Sequence, residues 1–440
     1  MNFAEQTIAK CERRLKNIGE NPDSTKLACN KLYYQNELEQ TKALVAAIEQ
    51  GSPPITYDPG KGMSTLMRAL GFEIIAKEAV GDRIGLDKEY CAKCLELLRS
   101  LGYADKACDR TIYPIAMTIM GDLPAPSCIV YSNCTCQQCG FGNLAIAKYF
   151  DVPVYHIDIP AAEGEEELAY VTNQLREFIR QVTKDIPGIS YDENRLAEWN
   201  DAVRRWRNWL HEAYVAMKHR PCPAGARDGF REYFPVYVYP EAVRENGVNH
   251  ARALAEEYQE RVDADRCIDE KVRLVWTASG PQFDMEVFNL LERRGVSLFF
   301  LLGSTLEQYI VRPGGKREIG SDLEYGRKLT PLEEVARSMR AGTWGGPNSA
   351  WVDDIVWFAK DIGADGVVNF LLRGCPVTVG YHKVVNDRVE SELGIPVFGF
   401  EAPGLDSSSY DADEAHSRLN DFLDLCLARR AERIGKSNLT

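Results

Sequence analysis

Two stretches of this chain follow one pattern: a short apolar run, an amphipathic segment of helix length, then another apolar run. Residues 127–131 and 152–157 flank a helical pattern over 144–150. Residues 272–276 and 297–302 flank one over 283–294, and apolar runs at 366–370 and 395–400 follow. Strands joined through helices lie parallel, because a hairpin would reverse the chain without needing the intervening segment. An α/β fold with two open parallel sheets, flavodoxin-like, is therefore expected. Helical patterns over 1–50, broken at Asn21-Pro22-Asp23-Ser24, and over most of 165–220 supply an N-terminal arm and a linker. The expected division is a helical arm over 1–60, a first α/β domain over 61–180, a helical connection over 181–270 and a second α/β domain over 271–440. At 440 residues, more than one core is required.

Thirteen cysteines lie in the chain, and three fall within six residues, Cys134-Thr135-Cys136-Gln137-Gln138-Cys139. A C-x-C-x-x-C run with no sign of secretion points to metal, and soft thiolates select iron–sulfur clusters or zinc. On the strand map the run follows the strand ending at Tyr131, and Cys375 follows the strand ending at Phe370. Ligand sites of open α/β sheets lie at that carboxyl edge, where helix N-termini present positive ends to an anion. Cys108 precedes a helical run and can stand on the same side. Two domains delivering thiols to one cleft would make an interdomain metal site. Cys91 and Cys94 are three apart in a helical pattern and read as core packing. Cys11, Cys29, Cys222, Cys267 and Cys426 carry no supporting pattern.

Other chemistry is poorly represented. The net charge of −13 disfavours nucleic acid. The basic run Arg204-Arg205-Trp206-Arg207 reads as arginines fringing a core face. No run reaches the roughly 18 apolar residues that span a bilayer, and the first twenty residues lack a signal-peptide pattern, so a cytoplasmic chain is expected. Pro59-Gly60-Lys61-Gly62 lacks phosphate-loop spacing, and no dinucleotide fingerprint follows a strand. His156, before Asp158 at a strand end, reads as structural. No catalytic residue is assigned.

An ordered set of segments carries a family resemblance from about Cys108 to the last helix. It runs from Cys108 through Met120-Gly121-Asp122-Leu123-Pro124 and Ser132-Asn133-Cys134-Thr135-Cys136 to Val154-Tyr155-His156-Ile157-Asp158. It continues through Ser279-Gly280-Pro281, Ala364-Asp365-Gly366, Cys375 and Glu392-Leu393-Gly394-Ile395-Pro396. The chain resembles the 2-hydroxyacyl-CoA dehydratase and ATP-dependent benzoyl-CoA reductase superfamily. That resemblance implies a [4Fe–4S] cluster on Cys108, Cys136 and Cys375, leaving one iron open to a non-protein ligand. It also implies an ATP-hydrolysing iron–sulfur activator that injects low-potential electrons. In the dehydratases one recycled electron makes a ketyl radical of the thioester carbonyl; the reductases consume electrons to reduce an aromatic ring. The segment Glu401-Ala402-Pro403-Gly404-Leu405-Asp406 departs from the pattern, lacking the usual second acidic residue and nearby arginine.

Cys128, Cys134 and Cys139 are surplus thiols around Cys136. They favour the superfamily's double-cubane branch, whose members resemble homodimers holding an [8Fe–9S] cluster on six cysteines and reducing small molecules. The expectation is thus an oxygen-sensitive iron–sulfur oxidoreductase, a homodimer, with Cys108, Cys128, Cys134, Cys136, Cys139 and Cys375 as ligands. Two alternatives stay open. One is a [4Fe–4S] dehydratase or reductase subunit acting on CoA thioesters beside a related chain. The other is a non-catalytic zinc-stapled protein.

Overall fold

A computed structural model describes residues 3–21, 27–58, 60, 62–76, 87–104, 107–133, 136–162, 164–231, 244–301, 326–340 and 349–437. Helices α1 (Phe3–Glu20) and α2 (Asn30–Gln50) pack on each other. The first α/β unit then runs β1 (Ile55–Tyr57), α3 (Met63–Leu70), β2 (Glu73–Ile75), α4 (Lys88–Ser100) and α5 (Asp109–Ile119). It continues with β3 (Ile129–Ser132), α6 (Gln137–Phe150), β4 (Val154–Ile157) and α7 (Glu165–Asp185). Helices α8 (Glu193–Met217), α9 (Ala226–Arg231) and α10 (Arg244–Asp263) connect the units. The second unit opens with β5 (Val272–Thr277), α11 (Glu286–Arg293), β6 (Val296–Leu301), α12 (Pro331–Arg340) and α13 (Ser349–Ile362). β7 (Gly366–Leu372), α14 (Pro376–Gly380), α15 (His382–Leu393), β8 (Val397–Ala402) and α16 (Ala412–Ser437) complete it.

Every described strand pair is parallel. The second sheet has the order β6-β5-β7-β8. In the first unit the pairs β1-β2 and β3-β4 are joined by a bridge between Thr56 and Cys128 and by the Ser127 N–H donating to the Ile55 carbonyl at 2.7 Å. The resulting order, β2-β1-β3-β4, repeats that of the second sheet. In each sheet the chain therefore reverses its direction of travel beside the first strand, between β1 and β3 or between β5 and β7. Such a crevice is where open α/β sheets bind ligands.

Both sheets are covered on both faces, which explains why every residue of β5 and β6 is buried, Arg273 and Ser297 included. Val275, Phe299 and Val367 pack toward α10 and α13, while Trp276, Phe300 and Phe370 pack toward α11 and α16. In the first unit Val130, Tyr155 and Ile157 face α3 and α7, and Ile129 and Tyr57 face α4 and α5. Helix α12 departs from the sequence order: Leu332, Val335, Ala336 and Met339 make an apolar stripe that joins the first unit's core. Among the described residues no helix is long and apolar enough to cross a membrane.

Candidate metal centre

A helix following a parallel strand starts at the sheet's carboxyl edge, with its first N–H groups lacking partners in the helix. Cys136 and Cys375 occupy that position as the N-cap residues of α6 and α14, and Cys108 is the N-cap residue of α5, which follows α4 and leads into β3. Cys136 follows β3 and Cys375 follows β7, equivalent strands of the two sheets, so the two thiols are delivered by matching loops. The Cys136 sulfur already accepts the Cys139 N–H at 3.2 Å. An N-cap thiol that becomes a thiolate gains from these donors and from the positive helix end.

Gln138, in the first turn of α6, ties the three loops together. Its side-chain oxygen accepts the Cys108 N–H at 3.2 Å, and its amide nitrogen donates to the Gly374 carbonyl at 2.9 Å. Cys108 feels the charges of both Cys136 and Cys375. Burial chiefly pushes the Cys108 thiol above its ordinary range, Asp109 adds to this, and the Arg110 guanidinium opposes it.

The units also exchange contacts beside this group. The Asp109 carboxylate accepts N–H groups from Leu405 at 2.6 Å and Asp406 at 3.2 Å. Burial raises its pKa, with these N–H groups and Arg110 pulling the other way. A Cβ on Gly404 would lie 2.9 Å from the Asp109 carboxylate and 3.1 Å from Arg110 Nε, so only glycine lets the loop approach. Arg110 donates to the Ser279 hydroxyl at 2.6 Å. Ser279 follows Ala278, whose φ of +66° is a conformation non-glycine residues rarely adopt. Leu405 is buried in the first unit's core, while Cys108 packs into the second unit's.

The remaining candidates lie as follows. Cys139, half-buried in the first turn of α6, is beside Cys136. Cys134 lies outside the described residues. The structure does not bring Cys128 to the group: it precedes β3, at the opposite end of that strand from Cys136. It is fully buried in the core beneath α3 and α7, where burial pushes its thiol up to about 12. Cys91 and Cys94 pack in the core on α4, as their helical spacing predicts. His156 is exposed on β4 with its ring 4.7 Å from that of Tyr131. Arg204 and Arg205 pair with Glu334 and Glu245, and Arg207 donates to Ser338, so the basic run fringes helix contacts. The sequence reading missed Gln138, Asp109 and Arg110 as residues of the site. Lying directly beside the cysteines was their only signal.

Among the described residues no three His, Cys, Asp or Glu side chains form a compact group able to hold one metal ion. The donor set suits a cluster better, since each thiolate of a cubane takes a different iron and the ligands need not touch. Three thiols, three helix N-termini and a buried guanidinium make an environment for a soft, anionic iron–sulfur group.

Comparison with known proteins agrees with the resemblance. A model of the family described as 2-hydroxyglutaryl-CoA dehydratase, D-component, matches residues 64–425. The (R)-phenyllactyl-CoA dehydratase alpha subunit of Clostridium sporogenes is 23% identical over 353 residues, 76% of this chain and 80% of that protein. The (R)-2-hydroxyglutaryl-CoA dehydratase subunit alpha of Acidaminococcus fermentans is 22% identical over 330 residues, 71% of this chain but only 63% of that protein. With most of its length matched, both units included, the chain belongs to the 2-hydroxyglutaryl-CoA dehydratase D-component family.

Proposed function

We propose that this chain is an iron–sulfur subunit of an enzyme that removes water from a 2-hydroxyacyl-CoA thioester. The observation that carries the reading is the convergence of Cys108, Cys136 and Cys375 on three helix N-termini drawn from both α/β units. These three thiolates would hold the cluster, which when bound supplies low-potential one-electron chemistry and an iron open to a non-protein ligand. The chain's own part is to bury the site, to offset its negative charge with helix ends and Arg110, and to fix the loops. The electrons would come from an ATP-hydrolysing iron–sulfur partner, consistent with the lack of a phosphate-binding loop in the sequence. Both relatives are named as alpha subunits, which supports a companion subunit.

A second reading is supported by Cys139, whose backbone N–H donates to the Cys136 sulfur from the first turn of α6. With Cys134 it would add ligands toward a double cubane in a homodimer that reduces a small molecule. Iron and acid-labile sulfide per chain, measured on protein purified without oxygen, separate the two. About four irons, with 2-enoyl-CoA formed from a 2-hydroxyacyl-CoA once companion subunit and activator are added, are expected here. About eight irons select the double cubane, and zinc without iron overturns both.

A further inference from the structure

One side chain links all three cysteine loops, and it carries no charge and no nucleophile of its own. Gln138 is the second residue of the helix that Cys136 caps, so its backbone is fixed to the Cys136 loop. Its side-chain oxygen takes the Cys108 N–H at 3.2 Å, and its side-chain nitrogen gives to the Gly374 carbonyl at 2.9 Å. Gly374 precedes Cys375 in a turn with φ of +82°, and the Cys375 N–H returns to the Leu372 carbonyl at 2.9 Å. The Gly374 carbonyl therefore reports the position of the Cys375 loop. Cys108 and Gln138 belong to the first unit and Gly374 to the second, so one of the two bonds crosses between them.

We infer that Gln138 is a positioning residue that sets the register of the Cys108, Cys136 and Cys375 loops before any cluster is bound. A cluster whose ligands come from two units needs both units aligned at assembly, and flexible loops would each lose conformational entropy at that step. Gln138 satisfies a backbone donor on one loop and a backbone acceptor on another, so its amide suits both ends and a carboxylate does not. Its value for cluster assembly rests on the function proposed above. Its effect on the loops does not.

The test uses the metal-free full-length chain and two variants. In Q138A, amide exchange at Cys108 and across residues 374–379 should quicken about fivefold to tenfold, the scale of one lost hydrogen bond. In Q138E the Cys108 amide should stay protected while residues 374–379 open, because the carboxylate keeps the acceptor and loses the donor. Reconstitution of Q138A with ferrous iron and sulfide should slow by a similar factor, and the paramagnetic resonance lines of the reduced product should broaden. Wild-type exchange, uptake and line shape in Q138A overturn the inference. If Q138A does not fold, Q138E decides alone: exchange equal at both loops, or quickened at Cys108 only, overturns it. Exchange altered as stated in a chain that takes up no iron leaves the positioning role intact and removes the cluster reading instead.

Discussion

Cys136 and Cys128 sit at opposite ends of one short strand, and the strand's direction decides their chemistry. Cys136 stands at the carboxyl edge as the N-cap of α6, its sulfur accepting the Cys139 N–H, and a thiolate there would gain from the positive helix end. Cys128 alternates with Val130 into the apolar core beneath α3 and α7, at the other end of the strand from the loops that carry Cys108, Cys136 and Cys375. Serine at Cys136 or Cys375 should therefore abolish most bound iron while leaving the far-ultraviolet spectrum unchanged. Alanine at Cys128 should keep the iron and cost about 1–2 kcal/mol in urea unfolding, the scale of a small core cavity. Iron lost from a folded C128A protein would return Cys128 to the ligand set.

At the scale of elements, α10 shows how the helical connection holds the arm. Glu257 on α10 accepts the backbone N–H groups of Ala28 and Cys29 at 2.9 and 3.0 Å, satisfying donors at the start of α2. One turn pair earlier, His250 is 4% exposed with its ring 6.1 Å from that of Tyr33 on α2. Burial lowers its pKa from 6.5 to about 4, with Glu257 opposing. The folded pKa lies below the unfolded one, so between those values the unfolded chain binds a proton that the folded chain does not. Stability should fall as pH drops through that window, by up to about 1.4 kcal/mol per pH unit from this group. A His250→Gln variant should lose that part of the slope in urea titrations at successive pH values; an unchanged slope would refute the assignment. The same scale shows what the sequence made legible. Mainly apolar stretches such as 272–276 and 366–370, each interrupted by one polar residue, emerge as strands because both sheet faces are buried. β1 and β2 were missed because each has three residues set among prolines and glycines, too few to show a period. The cysteine loops were legible because strand ends and thiols are both visible in sequence. Gln138 was not, since its partners are backbone groups 30 and 236 residues away. Nor was α12's return to the first unit, because an amphipathic stripe states that a face is buried and not against what.

For the whole molecule, the decisive contact is the exchange of residues between units. The loop after β8 sends Leu405 into the first unit's core at 1% exposure, held by the Asp109 carboxylate through the Leu405 and Asp406 N–H groups. Cys108 packs in return against the second unit. Arg110 and Ser279 add a buried hydrogen bond beside it. Each unit has its own two-faced sheet and core, and so could unfold by itself; these contacts make separation costly. Removing the Leu405 side chain should cost about 2–4 kcal/mol, the range for a buried leucine left as a cavity. That loss falls on the junction and not on either sheet, so its consequence should be loss of cooperativity. In a background that keeps Trp276, fully buried in the second sheet, as its one tryptophan of the seven, urea unfolding followed by fluorescence should coincide with unfolding followed by circular dichroism. In Leu405→Ala the two transitions should part, and amide exchange at Asp109 and Arg110 should quicken ahead of exchange in β5 and β7. Coincident transitions with uniformly lowered stability would instead make the two units one folding block, joined by more than the edge that carries the cysteines.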